Sequence, residues 1–85
     1  MTWTVIVAKA AQKELAKFPA KDRKKIAAAL QAMASDPFSG DIRKLEGSEN
    51  RWRRRVGSYR IFFSVETAAR TVAVSAIARR TSTTY

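Results

Sequence analysis

Two stretches, RWRRRV (51–56) and YRIFFSVE (59–66), flank a Gly57-Ser58 pair, and no other feature restricts the fold as tightly. Aromatic and β-branched residues on both sides of a two-residue glycine connection specify an antiparallel hairpin. TAAR then turns the chain into a last strand, TVAVSAIAR. At the other end, WTVIVA (3–8) reads as a short strand. From Lys9 the pattern becomes helical, with Ala11, Leu15 and Phe18 on one face, until Pro19 stops it. A second helix from about Lys21 places Ile26, Leu30 and Met33 together and leaves Lys21, Lys24 and Lys25 in water. SDPFSG ends that helix, and DIRKLEGSEN reads as loop. The order is β-α-α-β-β-β, an α+β fold in which an antiparallel sheet carries an N-terminal helical hairpin on one face. At this length, residues 1–85 make a single domain with one modest core.

Alternation sorts the arginines of the hairpin. Trp52, Arg54 and Val56 point one way; Arg51, Arg53 and Arg55 point the other. If Trp52 and Val56 face the helices, Arg53 and Arg55 stand side by side on the open face, about 7 Å apart along the strand. That spacing suits successive phosphates of an extended single strand. Arg54 then lands on the core side, where it should sit near an edge with its head in water. In the last strand Val72, Val74 and Ala76 alternate against Ala73, Ser75 and Ile77, and Arg79 follows on the second parity.

The charge distribution agrees with that division. The net charge is +10; residues 1–50 contribute +3 and residues 51–85 contribute +7. Every lysine lies in the first part, and all eight cations of the second are arginines. Arginine presents a planar fork of donors that matches phosphate, whereas lysine is a hydrated point charge. The C-terminal part is therefore suited to a polyanion, with nucleic acid first and an acidic protein partner satisfying the same electrostatics. There is no cysteine and no histidine, which removes disulfides, thiolate metal sites, the commonest metal ligand and the usual neutral-pH base. No metal or other cofactor is expected. The start, MTWTVIVAKA, lacks the basic region of a signal peptide, no apolar run is long enough to span a membrane, and a reducing cytoplasm is the natural home.

With these residues in view, KLEGSENRWRRRVGSYRIFFSVE followed by VAVSAIARRTSTTY resembles the RelE/ParE superfamily of toxins from type II toxin–antitoxin systems. KELAKFP in the first helix and DP after the second belong to the same resemblance. It implies a RelE-like fold and favours the RelE branch, whose members cut messenger RNA in the ribosomal decoding site. It further implies an endoribonuclease that arrests translation, with mRNA and the ribosomal A site as partners, held in check by a cognate acidic antitoxin. Carried over by motif, the two basic hairpin positions fall on Arg53 and Arg55, with Arg51 beside them as RNA-binding. The catalytic set falls on Arg60, Arg79 and Tyr85. The alternative is the ParE branch, which shares the fold, is not an enzyme and poisons DNA gyrase.

The chemistry implied is self-cleavage of RNA, in which the 2′-hydroxyl attacks the adjacent phosphorus. A protein need only hold that geometry and stabilise added negative charge. Arg60 and Arg79 suit charge stabilisation. Some RelE-type enzymes have lysines where this hairpin has arginines, and an arginine effectively cannot accept a proton. Tyr85 is then the group left to exchange one. Plainer readings stand beside these: a solvated basic face, an Arg60 paired with Glu66 or Glu49, and a terminal Tyr85 without a role. Trp3 reads as core, and Trp52, Tyr59, Phe62 and Phe63 read as core more readily than as base-stacking residues.

Overall fold

The computed structural model describes residues 2–47 and 50–79. The elements in chain order are β1 (Thr4–Val7), α1 (Lys9–Ala16), α2 (Ala20–Ser35), β2 (Asp41–Lys44), β3 (Arg51–Val56), β4 (Tyr59–Glu66) and β5 (Thr71–Arg79). They form one five-stranded sheet in the order β1-β5-β4-β3-β2. Four strands run antiparallel to their neighbours as the alternation requires; β1 joins the edge parallel to β5, which makes the sheet mixed. That parallel contact follows from the helical hairpin, which carries the chain away from β1 before the meander returns beside it.

β2 lies within DIRKLEGSEN, the stretch whose composition reads as loop. It is four residues long and only Ile42 packs toward the core, so its alternation is too short to stand out. It pairs with β3 through Asp41↔Arg55, Ile42↔Arg54, Arg43↔Arg53 and Lys44↔Trp52. The β3–β4 connection is the tight Gly57-Ser58 turn, and Gly57 holds φ +58, a left-handed value that glycine adopts at no steric cost.

The core lies between one sheet face and the helices. Ala11 and Phe18 come from the α1 side, Ile26 and Met33 from α2, and Tyr59, Ile61, Phe63 and Val65 from alternate positions of β4. Val72, Val74 and Ile77 complete it from β5. Each large apolar side chain removed from water contributes about 1.5–3 kcal/mol. The α1–α2 junction is closed by backbone bonds from Lys17 and Phe18 to the Glu14 and Leu15 carbonyls, and Asp22 then lies in the first turn of α2. An acidic group there faces the positive end of the helix dipole.

Strand β5 departs from simple alternation. Phe62 pairs with Ala76 while Phe63 pairs with Val74, so Ser75 is an extra residue, a β-bulge. Before it Val72 and Val74 point to the helices; after it Ile77 and Arg79 do. The expected single parity for Ala73, Ser75, Ile77 and Arg79 is thus corrected at Ser75. Arg54 sits on the helix side at the β2 edge, half-buried, with Nη1 donating to Ser39 Oγ at 3.2 Å. Its guanidinium lies against Gly40, where a Cβ would come within 2.8 Å of the guanidinium carbon and where φ is +81. Trp3 is half-buried against the core edge, with the Arg70 guanidinium 5.8 Å from its ring.

Candidate nucleic-acid interface

The face turned away from the helices collects the arginines. Register places Arg53 opposite Phe62 and Arg55 opposite Arg60, with Arg51 opposite Ser64. From the other side Arg43 joins Arg53, and Asp41 joins Arg55. Arg43, Arg51, Arg53, Arg55 and Arg60 therefore share one surface built from three adjacent strands. Paired positions are about 4.5–5.5 Å apart across the sheet, and like charges directly opposite one another destabilise it. Arg55 against Arg60 is such a pair, a cost that folding alone does not call for.

Among the described residues Asp41, opposite Arg55, and Glu66, at the far end of β4, are the acids on this surface, and neither forms an ion pair with it. Among the described residues the only ion pair is Lys17–Glu14 at 3.3 Å, on α1. Glu66, offered above as a partner for Arg60, accepts instead from Asn50 Nδ2 at 2.9 Å. Glu49, the other candidate, lies outside the described residues. The Nε atoms of Arg53 and Arg60 are shielded from solvent and bond to no protein group. Arg53 and Arg60 thus form no ion pair and stand beside exposed Arg55 and Arg51, and guanidinium groups without carboxylate partners suit phosphate oxygens.

Arg79 goes elsewhere. Its register partner is Tyr59, which faces the helices, whereas Arg60 pairs with Ala78 on the opposite face. Two of the three residues assigned to catalysis are therefore placed on opposite faces at the same end of the sheet. Sequence reasoning missed the reason, which is the Ser75 bulge. Arg79 is exposed, with its guanidinium carbon 5.9 Å from the centre of the Tyr59 ring. Tyr59 itself is 3% exposed. Its hydroxyl donates to Asp22 Oδ2 at 2.6 Å, and its ring packs on Phe18 with centroids 4.5 Å apart. The hydrogen bond to Asp22, burial and the Asp22 charge hold the Tyr59 pKa above its ordinary value, against an opposing pull from Arg79. The pair ties α2 to the tip of the β3–β4 hairpin. Tyr85, the third assigned residue, lies outside the described residues, as does Arg80.

Two further residues of this surface escaped the sequence reading. Arg43 belongs to the strand taken for loop. Phe62, grouped there with Trp52, Tyr59 and Phe63, is the one of those four that turns away from the helices. Among the described residues there is no group of three His, Cys, Asp or Glu side chains placed to hold a metal ion. None of the described helices is long and apolar enough to cross a membrane.

A small basic protein of this fold matches a known class of toxin. Residues 5–83 match the family described as the ParE toxin of the type II toxin–antitoxin system, parDE, and the chain belongs to that family, within the RelE/ParE superfamily. The fold is shared with solved RelE structures. The chain is similar to an archaeal RelE–RelB complex from Pyrococcus horikoshii OT3, with a TM-score of 0.85, 24% identity, and coverage of 98% of this chain and 100% of that one. It resembles the isolated Escherichia coli RelE toxin with a TM-score of 0.81 and 18% identity, covering 95% of this chain and 87% of that one. Against the RelB–RelE complex of Methanococcus jannaschii the TM-score is 0.73 and the identity 27%, over 87% and 88% of the two chains. Comparison with curated protein sequences finds no match.

Proposed function

We propose that this type II toxin is an endoribonuclease that cuts messenger RNA on the ribosome and is silenced by an acidic antitoxin. The observation that carries the reading is the face of Arg43, Arg51, Arg53, Arg55 and Arg60, none of which forms an ion pair among the described residues. Neighbouring solved structures include RelE bound to RelB, which supports a cognate antitoxin partner. In the proposed reaction Arg51, Arg53 and Arg55 hold successive phosphates of the single strand. Arg60, in the same row as Arg55, stabilises the negative charge that builds as the 2′-hydroxyl attacks phosphorus. The 2′-oxygen–phosphorus bond forms as the bond to the 5′-oxygen breaks, leaving a cyclic phosphate upstream. Tyr85 serves the proton exchange, in which the 2′-hydroxyl gives up its proton and the departing 5′-oxygen takes one to become a hydroxyl, and Arg79, one residue beyond the partner of Arg60, meets the substrate from the end of β5 rather than from the open face.

The match to a family described as ParE favours one second reading, a toxin that inhibits DNA gyrase without cutting RNA. Induced expression separates the two. Loss of amino-acid incorporation ahead of thymidine incorporation supports RNA cleavage, and Arg60→Ala should abolish that loss. Thymidine incorporation failing first, with mRNA intact, supports gyrase.

A further inference from the structure

We infer that the arginine face is divided along β4 into a phosphate track and a base shelf, with Phe62 the ring on which one base of single-stranded RNA stacks. The inference rests on the RNA-cleaving reading above and assigns a residue to it. On the β3 and β2 side of β4 the outward positions are Arg51, Arg53, Arg55 and Arg43, with Asp41 opposite Arg55 at the strand's start. On the β5 and β1 side they are Thr71, Ala73, Ala76, Ala78, Thr4 and Ile6, none of them charged. Ile6 is 55% exposed, a large apolar side chain left in water on that side. Phe62 stands on the boundary, half-buried, with Arg53 in register on one side and Ala76 on the other.

Size and charge both point to a nucleotide. Beside Phe62 the β5 side chains are methyl groups, so nothing bulky flanks the ring there. A flat base laid on the shelf meets the ring while its phosphate reaches Arg53 and Arg55. An aromatic platform alongside a cationic groove is how single strands are held without reading their sequence. The backbone under the ring is also fixed: the bulge falls opposite Phe62 and Phe63, and the Ser75 hydroxyl donates to the Phe62 carbonyl at 3.3 Å. Glu66 is the one acidic position facing outward on β4, so it turns phosphate away from that end of the track. Its charge orients the strand toward Arg60.

The test uses purified toxin, a 2′-O-methyl oligoribonucleotide that resists cleavage, and inorganic polyphosphate, which carries charge without bases. Phe62→Ala should weaken oligonucleotide binding about 5- to 150-fold, the range that base–aromatic stacking supplies. It should leave polyphosphate binding unchanged, and Phe62→Trp should restore the oligonucleotide affinity. Circular dichroism on both variants checks the fold. Equal losses for oligonucleotide and polyphosphate would overturn the proposal, because the change then acts on the arginines or the sheet. Wild-type affinity for RNA in Phe62→Ala would overturn it while leaving the RNA reading intact. If that variant instead loses its co-expressed antitoxin, the shelf belongs to a polypeptide. A wild-type toxin that binds polyphosphate but no RNA would remove both the shelf and the RNA reading.

Discussion

Replacing Arg53 and Arg55 together by alanine should change how RNA binding depends on salt, by an amount the sheet register sets. Five arginines share the face: Arg43, Arg51, Arg53, Arg55 and Arg60. If each neutralises one phosphate of a single strand, the logarithm of the binding constant falls with that of salt with a slope of about −3.5. The double variant keeps three contacts, and its slope becomes about −2.1. Between 50 and 200 mM salt the wild-type affinity then drops about 130-fold and the variant's about 18-fold. The fold should survive. Both side chains point away from the core, and their removal relieves the like-charge contact of Arg55 with Arg60. Alanine has the weaker strand preference, so the two effects offset, and the melting temperature should stay within about 4–8 °C, the equivalent of ~1 kcal/mol at this size. Anisotropy of a labelled, non-cleavable oligoribonucleotide across that salt range measures both slopes. A folded variant with the wild-type slope would refute the reasoning and leave these arginines as a solvated surface.

Tyr59→Phe removes the donor to Asp22, so the variant should melt at a lower temperature at neutral pH. Because the folded protein raises the Tyr59 pKa, the contribution is fully present below about 10, the ordinary tyrosine value, and is lost as pH rises through the folded value. Thermal melts from neutral to strongly alkaline pH should therefore show a steeper alkaline loss in the wild type than in the variant. Gly40→Ala forces a left-handed backbone on alanine at about 1–2 kcal/mol and displaces the Arg54 guanidinium. The variant should melt about 4–8 °C lower per kcal/mol, and Arg54→Ala in the same chain should recover the part due to crowding. Tyr85→Phe should slow cleavage by about 10²–10⁴ with little change in RNA affinity, and single-turnover kinetics against equilibrium binding separates the two. A 2′-deoxy nucleotide at the cut position should block the reaction while leaving binding in place.

Most of the architecture was legible because the chain repeats one physical message at several levels. The Gly57-Ser58 turn, the alternation in β3 and β4 and the helical faces around Ile26 and Met33 all lead to helices on one side of a sheet. The same alternation placed Arg51, Arg53 and Arg55 away from the core, where they lie, and Arg54 at an edge, where it meets Ser39. What escaped was local irregularity. One inserted residue at Ser75 reverses the side on which Arg79 emerges, and a bulge with no glycine or proline leaves no signal in composition. β2 escaped because a strand with one inward apolar residue is indistinguishable from a polar loop. Tyr59 and Asp22 are 37 positions apart, and no pattern within either element announces their bond. Phe62 was misread with its neighbours because an apolar run, IFF, hides which ring faces outward.

The central claim, that this toxin acts by cutting mRNA across its arginine face, is tested most directly by mapping RNA ends. Wild-type protein and Arg60→Ala are added separately to a translating extract carrying a reporter mRNA, and new 5′ ends are located on the message. New ends at in-frame positions with the wild type, each matched by an upstream cyclic phosphate and absent with Arg60→Ala, are the expected result. An intact reporter in both reactions, with gyrase supercoiling inhibited by the wild type, would contradict it.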